Sequence, residues 1–351
     1  MDFYKLWQLV KFPLLFTTLF CFWGCGGKPR VDSSRMNQGV APHARGKKAR
    51  DRTVFVYEDS QYDDRGAGHY LYPISLQNRD GIFDLRRFEV RNLDRVIEFR
   101  LEFLRPIDTE DLISLDRALD PQSITGVRTR KGWAFQLVDI YIDTDHTPGS
   151  GQTFALPGRN VEFNYEEAWD HAVVLTPGPN DDVHNYLVER SEYRELHNNR
   201  KRIHVPNDVH ARHYTLVARV PKQEIGDPQP GWGYQVFVMG YDSNNTSRNG
   251  MFNMRVKTFP TDTAFGGGTD YDGNPNIIDI LSPDKTSQYQ VLSQYRSQPY
   301  QTDNLLSIVP MIYAKGKQKA VEFREKSMYE QSNTGPGLIN SRYTSPVEVR
   351  R

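Results

Sequence analysis

The sequence predicts an all-β protein, an antiparallel β-sandwich with one or two short helices and edge insertions. Three observations lead there. The segment Val96 to Phe103 alternates Ile97, Phe99, Leu101 and Phe103 with Glu98, Arg100 and Glu102, the period of a strand with one wet face. From Thr53 to about Ala314, short apolar runs are separated by Gly and Pro turns, and the 351-residue chain carries 19 Tyr and 18 Phe, residues that suit a pleated, half-buried surface. No long amphipathic helical pattern interrupts these runs, and no fixed-period repeat points to a propeller or solenoid.

The first 24 residues read as an export signal: Lys5 and Lys11 precede an uncharged apolar stretch from Phe12 to Trp23. That stretch is shorter than the roughly 20 apolar residues a spanning helix needs. Phe22-Trp23-Gly24-Cys25-Gly26 resembles a bacterial lipobox, with Phe22 standing where Leu is usual. The resemblance implies cleavage before Cys25 and lipidation of Cys25, and hence a membrane contact through the lipid. An ordinary secretory peptide or an uncleaved anchor is the alternative. The only two cysteines are Cys21 and Cys25, so the body can hold neither a disulfide nor a thiolate metal site. Gly26 and Gly27 follow the lipid position with no Asp directly behind it, which by resemblance to bacterial sorting rules permits the outer membrane.

Residues 25–52 form a polar, basic tether without hydrophobic periodicity, and residues 28–52 carry a formal charge of +6. Residues 53–351 then carry −7. A mildly acidic body is a poor partner for nucleic acid, whose backbone demands cations. The body spans residues 53–314, about 260 residues and compatible with one sandwich domain. "HYTLVARV" (His213 to Val220) and "YQVFVMG" (Tyr234 to Gly240) read as further strands, and "SQYQVLSQY" from Ser287 reads as a helix with Gln290 as capping-box partner. Two charged stretches, Asp108 to Lys131 and Pro177 to Arg212, look like insertions at a sandwich edge. Residues 315–351 are rich in Lys, Ser, Gly and Arg and read as a loosely held tail.

Six segments occur in order: "GIFDLRRFEV" (Gly81 to Val90), "FQLVDIYIDTD" (Phe135 to Asp145), "ALPGRNVEF" (Ala155 to Phe163), "EEAWDHAV" (Glu166 to Val173), "VPKQEIGDPQPGWGYQVFV" (Val220 to Val238) and "GNPNIIDIL" (Gly273 to Leu281). Together they resemble the C-terminal module of bacterial glucodextranase, which also occurs at the ends of some amylopullulanases. The similarity runs from roughly Val56 to Tyr313. It implies an antiparallel sandwich similar to family 9 carbohydrate-binding modules and the wider DOMON-like group, acting as a non-catalytic accessory.

The stretch "EDSQYDDRGAGHYLYP" (Glu58 to Pro73) is similar to the family's opening motif: Asp59, Asp63, Asp64, Gly66, Gly68, Tyr70, Tyr72 and Pro73 match, while Ala67 replaces a Pro and Tyr62 replaces a Gly. Asp59, Asp63 and Asp64 supply hard oxygen donors of the kind Ca²⁺ prefers, and would repel one another without a cation. Structural calcium is the expected cofactor, as in the related family 9 modules. Tyr62 stands where glycine adopts backbone angles that Tyr resists.

Along Trp133 to Asp145, alternation puts Asp139 and Asp143 opposite the apolar face of Val138, Ile140 and Ile142, either outward or in a polar pocket. Asp145 caps the following turn, and Asp143 with Asp145 offers a second cation contact. Nothing establishes a tuned acid and base pair in a cleft, so no catalytic residue is assigned.

Stacking on a neutral sugar needs flat aromatic surface, for which Trp133, Trp169, Trp232 and Tyr234 are the candidates; each also suits a core position. His204, His210 and His213 read as scattered surface histidines rather than a zinc site. The absence of CxxCH excludes covalent haem.

The expected protein is an exported, membrane-anchored sandwich at the outer membrane or cell envelope that recognises a polysaccharide or envelope glycan, an α-glucan by resemblance. Its companion would be a glucan-processing enzyme or transporter. A periplasmic or secreted location, an adhesion lipoprotein without a sugar site, and a DOMON-like redox module are the alternatives.

Overall fold

The computed structural model describes residues 53–119, 131–194, 196–197, 201–245, 250–269, 273–296 and 305–314. The expected export signal, lipid site at Cys25, tether and tail lie outside the described residues. Among the described residues, thirteen strands run in the order β1 (Thr53–Glu58), β2 (Leu85–Asn92), β3 (Val96–Phe103), β4 (Gln136–Asp143), β5 (Val161–Phe163), β6 (His171–Leu175), β7 (Ile203–His204), β8 (Asp208–Arg212), β9 (Thr215–Pro221), β10 (Gly233–Gly240), β11 (Asp279–Ile280), β12 (Ser307–Val309) and β13 (Ile312–Tyr313). They form one five-stranded sheet, β1-β2-β3-β9-β8, and one six-stranded sheet, β11-β10-β4-β6-β7 with β13 also paired to β10. A short parallel pair, β5 and β12, makes a third. Apart from β6 with β7 and β5 with β12, the strand pairs are antiparallel.

β3 covers the residues whose alternation predicts it. Ile97, Phe99, Leu101 and Phe103 are fully buried, each contributing about 1.5–3 kcal/mol of hydrophobic stabilisation. On its other face Glu98 is also buried, neutralised by Arg91 at 3.0 Å, Arg219 at 2.8 Å and Arg100 at 3.5 Å. The two large sheets meet through Phe55 and Phe88 of the first and Tyr234 of the second, with ring centroids 4.7 and 5.8 Å apart.

The second sheet departs from the half-wet pattern. β4 and β10 are buried along their whole length. Tyr234, Val138, Ile140 and Ile142 belong to the face that meets the first sheet. The opposite face, with Leu137, Tyr141 and Phe237, lies under Leu156, Phe163 and Trp169, and Tyr141 packs 4.9 Å from Phe163 and 5.5 Å from Trp169. A strand covered on both sides loses its polar alternation, which is why the period is weak there.

The two charged stretches are more than edge decoration. Asp108 to Lys131 contains α1 (Glu110–Leu119), which buries Leu112. Pro177 to Arg212 contains α2 (Asn180–Glu189) and α3 (Ser191–Arg194), buries Val183, Tyr186 and Leu187, and supplies the edge strands β7 and β8. With α4 (Lys222–Ile225) and α5 (Lys285–Leu292), the described residues hold five short α-helices where the sequence predicts one or two. The last begins two residues before Ser287, because Asp284 is its N-cap and accepts from the Ser287 backbone N–H at 2.9 Å. Among the described residues, no helix is long and apolar enough to cross a membrane.

Candidate metal centre

Asp59 follows β1, Asp63 lies in the loop beyond it, Asp84 immediately precedes β2, and Asp279 opens β11. Antiparallel pairing brings the end of β1 beside the start of β2, where Glu58 faces Arg87, and the sandwich brings β11 under both. The four carboxylates therefore converge at one end of the molecule, between the sheets. Asp279 Oδ2 accepts from the Leu85 N–H at 2.6 Å, and Asp59 Oδ1 accepts from the Ser282 N–H at 2.8 Å, so each bond ties one sheet to the other.

Five oxygens remain: Asp59 Oδ2, both oxygens of Asp63, Asp84 Oδ1 and Asp279 Oδ1 are buried without a hydrogen-bond partner. Asp63, Asp84 and Asp279 each offer one oxygen within 4.8 Å of the others. Unpaired buried charge is among the most costly arrangements a fold can hold. The electrostatics agree. Burial, then repulsion from neighbouring carboxylates, pushes Asp63 and Asp84 up to about 7; Ser60 and the Asp63 amide lie close enough to offset part of the rise at Asp63 without the geometry of a formed hydrogen bond. Asp279 and Asp59 are raised well above the carboxylate range, mainly by burial, with Asp63 and Asp84 adding repulsion to both.

A hard divalent cation fits this donor set. Calcium takes about six to eight oxygens and favours carboxylates, whereas Mg²⁺ keeps several of its waters and Zn²⁺ prefers nitrogen and sulfur. Asp59, Asp63, Asp84 and Asp279 are the residues that would hold it, and the charge it supplies would remove their mutual repulsion. α5 braces the loop: Gln288 donates to the Asp63 carbonyl at 2.5 Å and accepts from the Ile280 N–H at 3.1 Å. Gly66 and Gly68 adopt φ of +54° and +95°, and a Cβ on Gly66 would stand 2.1 Å from the Tyr70 ring. Tyr62 adopts a φ of +65°, in the region Tyr resists, and its N–H donates to Asp84 Oδ2 at 2.5 Å.

Asp64, expected beside Asp59 and Asp63, is served by protein donors instead: its carboxylate accepts from the Tyr72 hydroxyl and from the Gly81 N–H at 3.0 Å, and unlike Asp59 it has no buried oxygen left without a partner. Asp84 and Asp279 are the residues the sequence reading missed. Each is a lone carboxylate inside an apolar run, "IFDL" and "NIIDIL", and that was the signal: a charge on a strand destined for burial needs a partner.

Asp143 and Asp145 do come together, with Asp170, within 4.8 Å, but protein donors serve this group. Asp143 Oδ1 accepts from the N–H groups of Asp145 and His146 at 3.2 and 2.7 Å, and Oδ2 from the Tyr313 hydroxyl at 2.5 Å. Asp145 accepts from the Thr147 N–H and the Ser150 hydroxyl; Asp170 accepts from the Thr144 N–H and hydroxyl. Asp139 sits in the polar pocket that alternation allows, with Arg159 donating to its two oxygens at 2.7 and 3.0 Å and Tyr141 donating at 2.9 Å.

The four aromatic candidates are core residues. Trp133, Trp169 and Tyr234 are at most 1% exposed and Trp232 is 6% exposed, so none offers a ring face to a ligand in solvent. Sheet packing on both sides takes up these rings; the indole N–H groups of Trp133 and Trp169 donate to the Gln136 and Phe154 carbonyls. His204 is likewise buried rather than at the surface, bonded to His171 at 3.0 Å and Glu224 at 3.2 Å, while His210 and His213 are exposed and apart from it.

Among the described residues, the acid group with unpartnered buried oxygens lies between the two large sheets, and the chain is in class a β-sandwich with a candidate cation site. The chain belongs to the family described as the C-terminal binding module, SLH-like, of glucodextranase, which matches residues 54–307. No curated protein matches the chain.

Proposed function

We propose that this chain is an exported, non-catalytic carbohydrate-binding module, stiffened by calcium at Asp59, Asp63, Asp84 and Asp279 and carried on a lipid at Cys25. The observation that carries the binding role is the extent of the family match: residues 54–307 cover nearly all of the described body, so the binding module is the sandwich itself. The acids with raised pKa support a structural rather than catalytic use, because all four are buried and closed to a substrate. An α-glucan is the expected ligand by kinship with glucodextranase. The SLH-like description supports placement at the cell envelope, and a glucan-processing enzyme or transporter is the expected companion.

The test is a glycan screen on the full chain, with calcium and with chelator, alongside an assay for reducing ends. Saturable binding to a glucan with no release of reducing ends is expected. An envelope adhesion protein is the second reading, favoured by burial of all four aromatic candidates; retention by cell-envelope fractions together with silence on the glycan screen would select it.

A further inference from the structure

The strand pair β5/β12, the loop before β5 and the helices α2 and α3 enclose a cleft of about 780 Å³ on the far side of the second sheet. This is within the range of small-molecule sites, roughly 300–1,000 Å³. Three features suit it to a sugar. Phe154 stands at the cleft with 62% of its surface exposed, the most exposed aromatic ring among the described residues that line it. Also lining the cleft, the Arg190 guanidinium lies 3.5 Å from the centroid of the Tyr186 ring, a second flat surface. The lining also includes the amides of Gln152 and Asn160, with donors and acceptors for hydroxyl groups.

Asn160 is held at a φ of +58°, a conformation that Asn tolerates better than most side chains and that tends to persist where a site needs it. Its Nδ2 donates to the Asn274 carbonyl at 2.9 Å, which fixes the side chain and leaves Oδ1 as an acceptor. Among the described residues that line the cleft there is no carboxylate, and the one guanidinium is already engaged with Tyr186. That charge pattern favours an uncharged ligand.

We infer that this cleft is the glycan site, that its ligand is a neutral oligosaccharide, and that Phe154 is the stacking residue. The inference rests on the carbohydrate-binding reading above and gives that reading a location. It also accounts for the second charged insertion, since α2 and α3 build one wall.

The experiment is calorimetric titration of the full chain in calcium with a panel of neutral oligosaccharides and one polyuronate fragment, repeated on Phe154→Ala, Gln152→Ala and Phe259→Ala. Phe154 and Phe259 are both exposed, so either change leaves the core intact, and melting curves confirm this. Phe154→Ala is expected to weaken neutral-glycan binding about ten-fold, Gln152→Ala by a smaller factor, and Phe259→Ala not at all. If the unmodified chain binds glycan and Phe154→Ala binds equally well, the cleft assignment is overturned while the carbohydrate-binding reading stands. Preference for the polyuronate overturns the neutral class. If the unmodified chain binds none of the panel, both fall.

Discussion

Two acidic clusters of this sandwich look alike in sequence and differ in what surrounds them. Around Asp143, Asp145 and Asp170, the turn after β4 aims backbone N–H groups and hydroxyls at the carboxylates. Around Asp59, Asp63, Asp84 and Asp279, the protein leaves five buried oxygens without a formed hydrogen bond. Asp139 shows a third solution, a buried guanidinium on its two oxygens. Counting carboxylates therefore does not separate the two clusters; counting the donors that the fold withholds does.

The largest effect expected from this difference is the response to calcium. A cation bound only by the folded chain, at about a thousand times its Kd, adds roughly 4 kcal/mol, which at this domain size corresponds to about 10 °C in Tm. Chelation should lower Tm by that amount, and elemental analysis of the undialysed protein should find calcium. The double change Asp84→Asn with Asp279→Asn should abolish the calcium response while raising the Tm of the chelated protein, because it removes like charge. An unchanged melting curve in chelator, with no metal found, would sink the assignment.

The opposite cluster supplies the control. Asp145→Asn alters an exposed carboxylate already served by Thr147 and Ser150. Its effect should stay within about 1 kcal/mol, with the calcium response intact. If Asp145→Asn removed that response instead, the two clusters would have exchanged roles.

How far this contrast was legible in the sequence follows from what alternation can and cannot report. Val96–Phe103 has one wet face, and its pattern announces its boundaries and its buried side. β4 and β10 are covered on both faces, so neither reveals that Trp169 or Tyr234 is core. The loop acids Asp59 and Asp63 stand out because they cluster locally, but Asp279 is 220 residues from Asp59 along the chain and reaches it only through the packing of β11 beneath β1 and β2. The partners of Asp64 are hidden for the same reason: which neighbour takes Tyr72 and Gly81 is decided by the turn, not by composition. Family segments held Asp84 and Asp279 in plain view, yet gave no distance between them.

A smaller effect comes from pH. In chelator, Asp63 and Asp84 are held up at about 7, so the folded chain keeps protons that an unfolded one, titrating near 4, has already released. Stability must then fall as pH rises through that interval. His171 and His204, lowered to about 4 by burial, act in the opposite sense, but only below about 6.5, where the unfolded imidazoles charge. Between pH 6.5 and 8 the carboxylates dominate, and Tm in chelator should drop by about 3 °C. In calcium the trend should vanish, since the cation already favours the ionised acids. A chelated Tm that climbs over this interval would remove the acid cluster from the account.

The smallest effect concerns Tyr62, which lends its N–H to Asp84 while its ring is 68% exposed. A left-handed φ costs an ordinary side chain about 1–2 kcal/mol, and glycine escapes it at an entropic cost of about 0.5–1 kcal/mol. Tyr62→Gly should therefore stabilise the protein by up to about 1 kcal/mol and leave its calcium affinity unchanged, because the backbone donor remains. Differential scanning calorimetry in calcium and in chelator reads both quantities. A loss of stability in both conditions would mean that the Tyr62 ring packs in solution against something other than solvent. A loss confined to calcium would mean that the strained backbone is what aims Asp84 at the cation, and would make the strain part of the site rather than a residue of its sequence history.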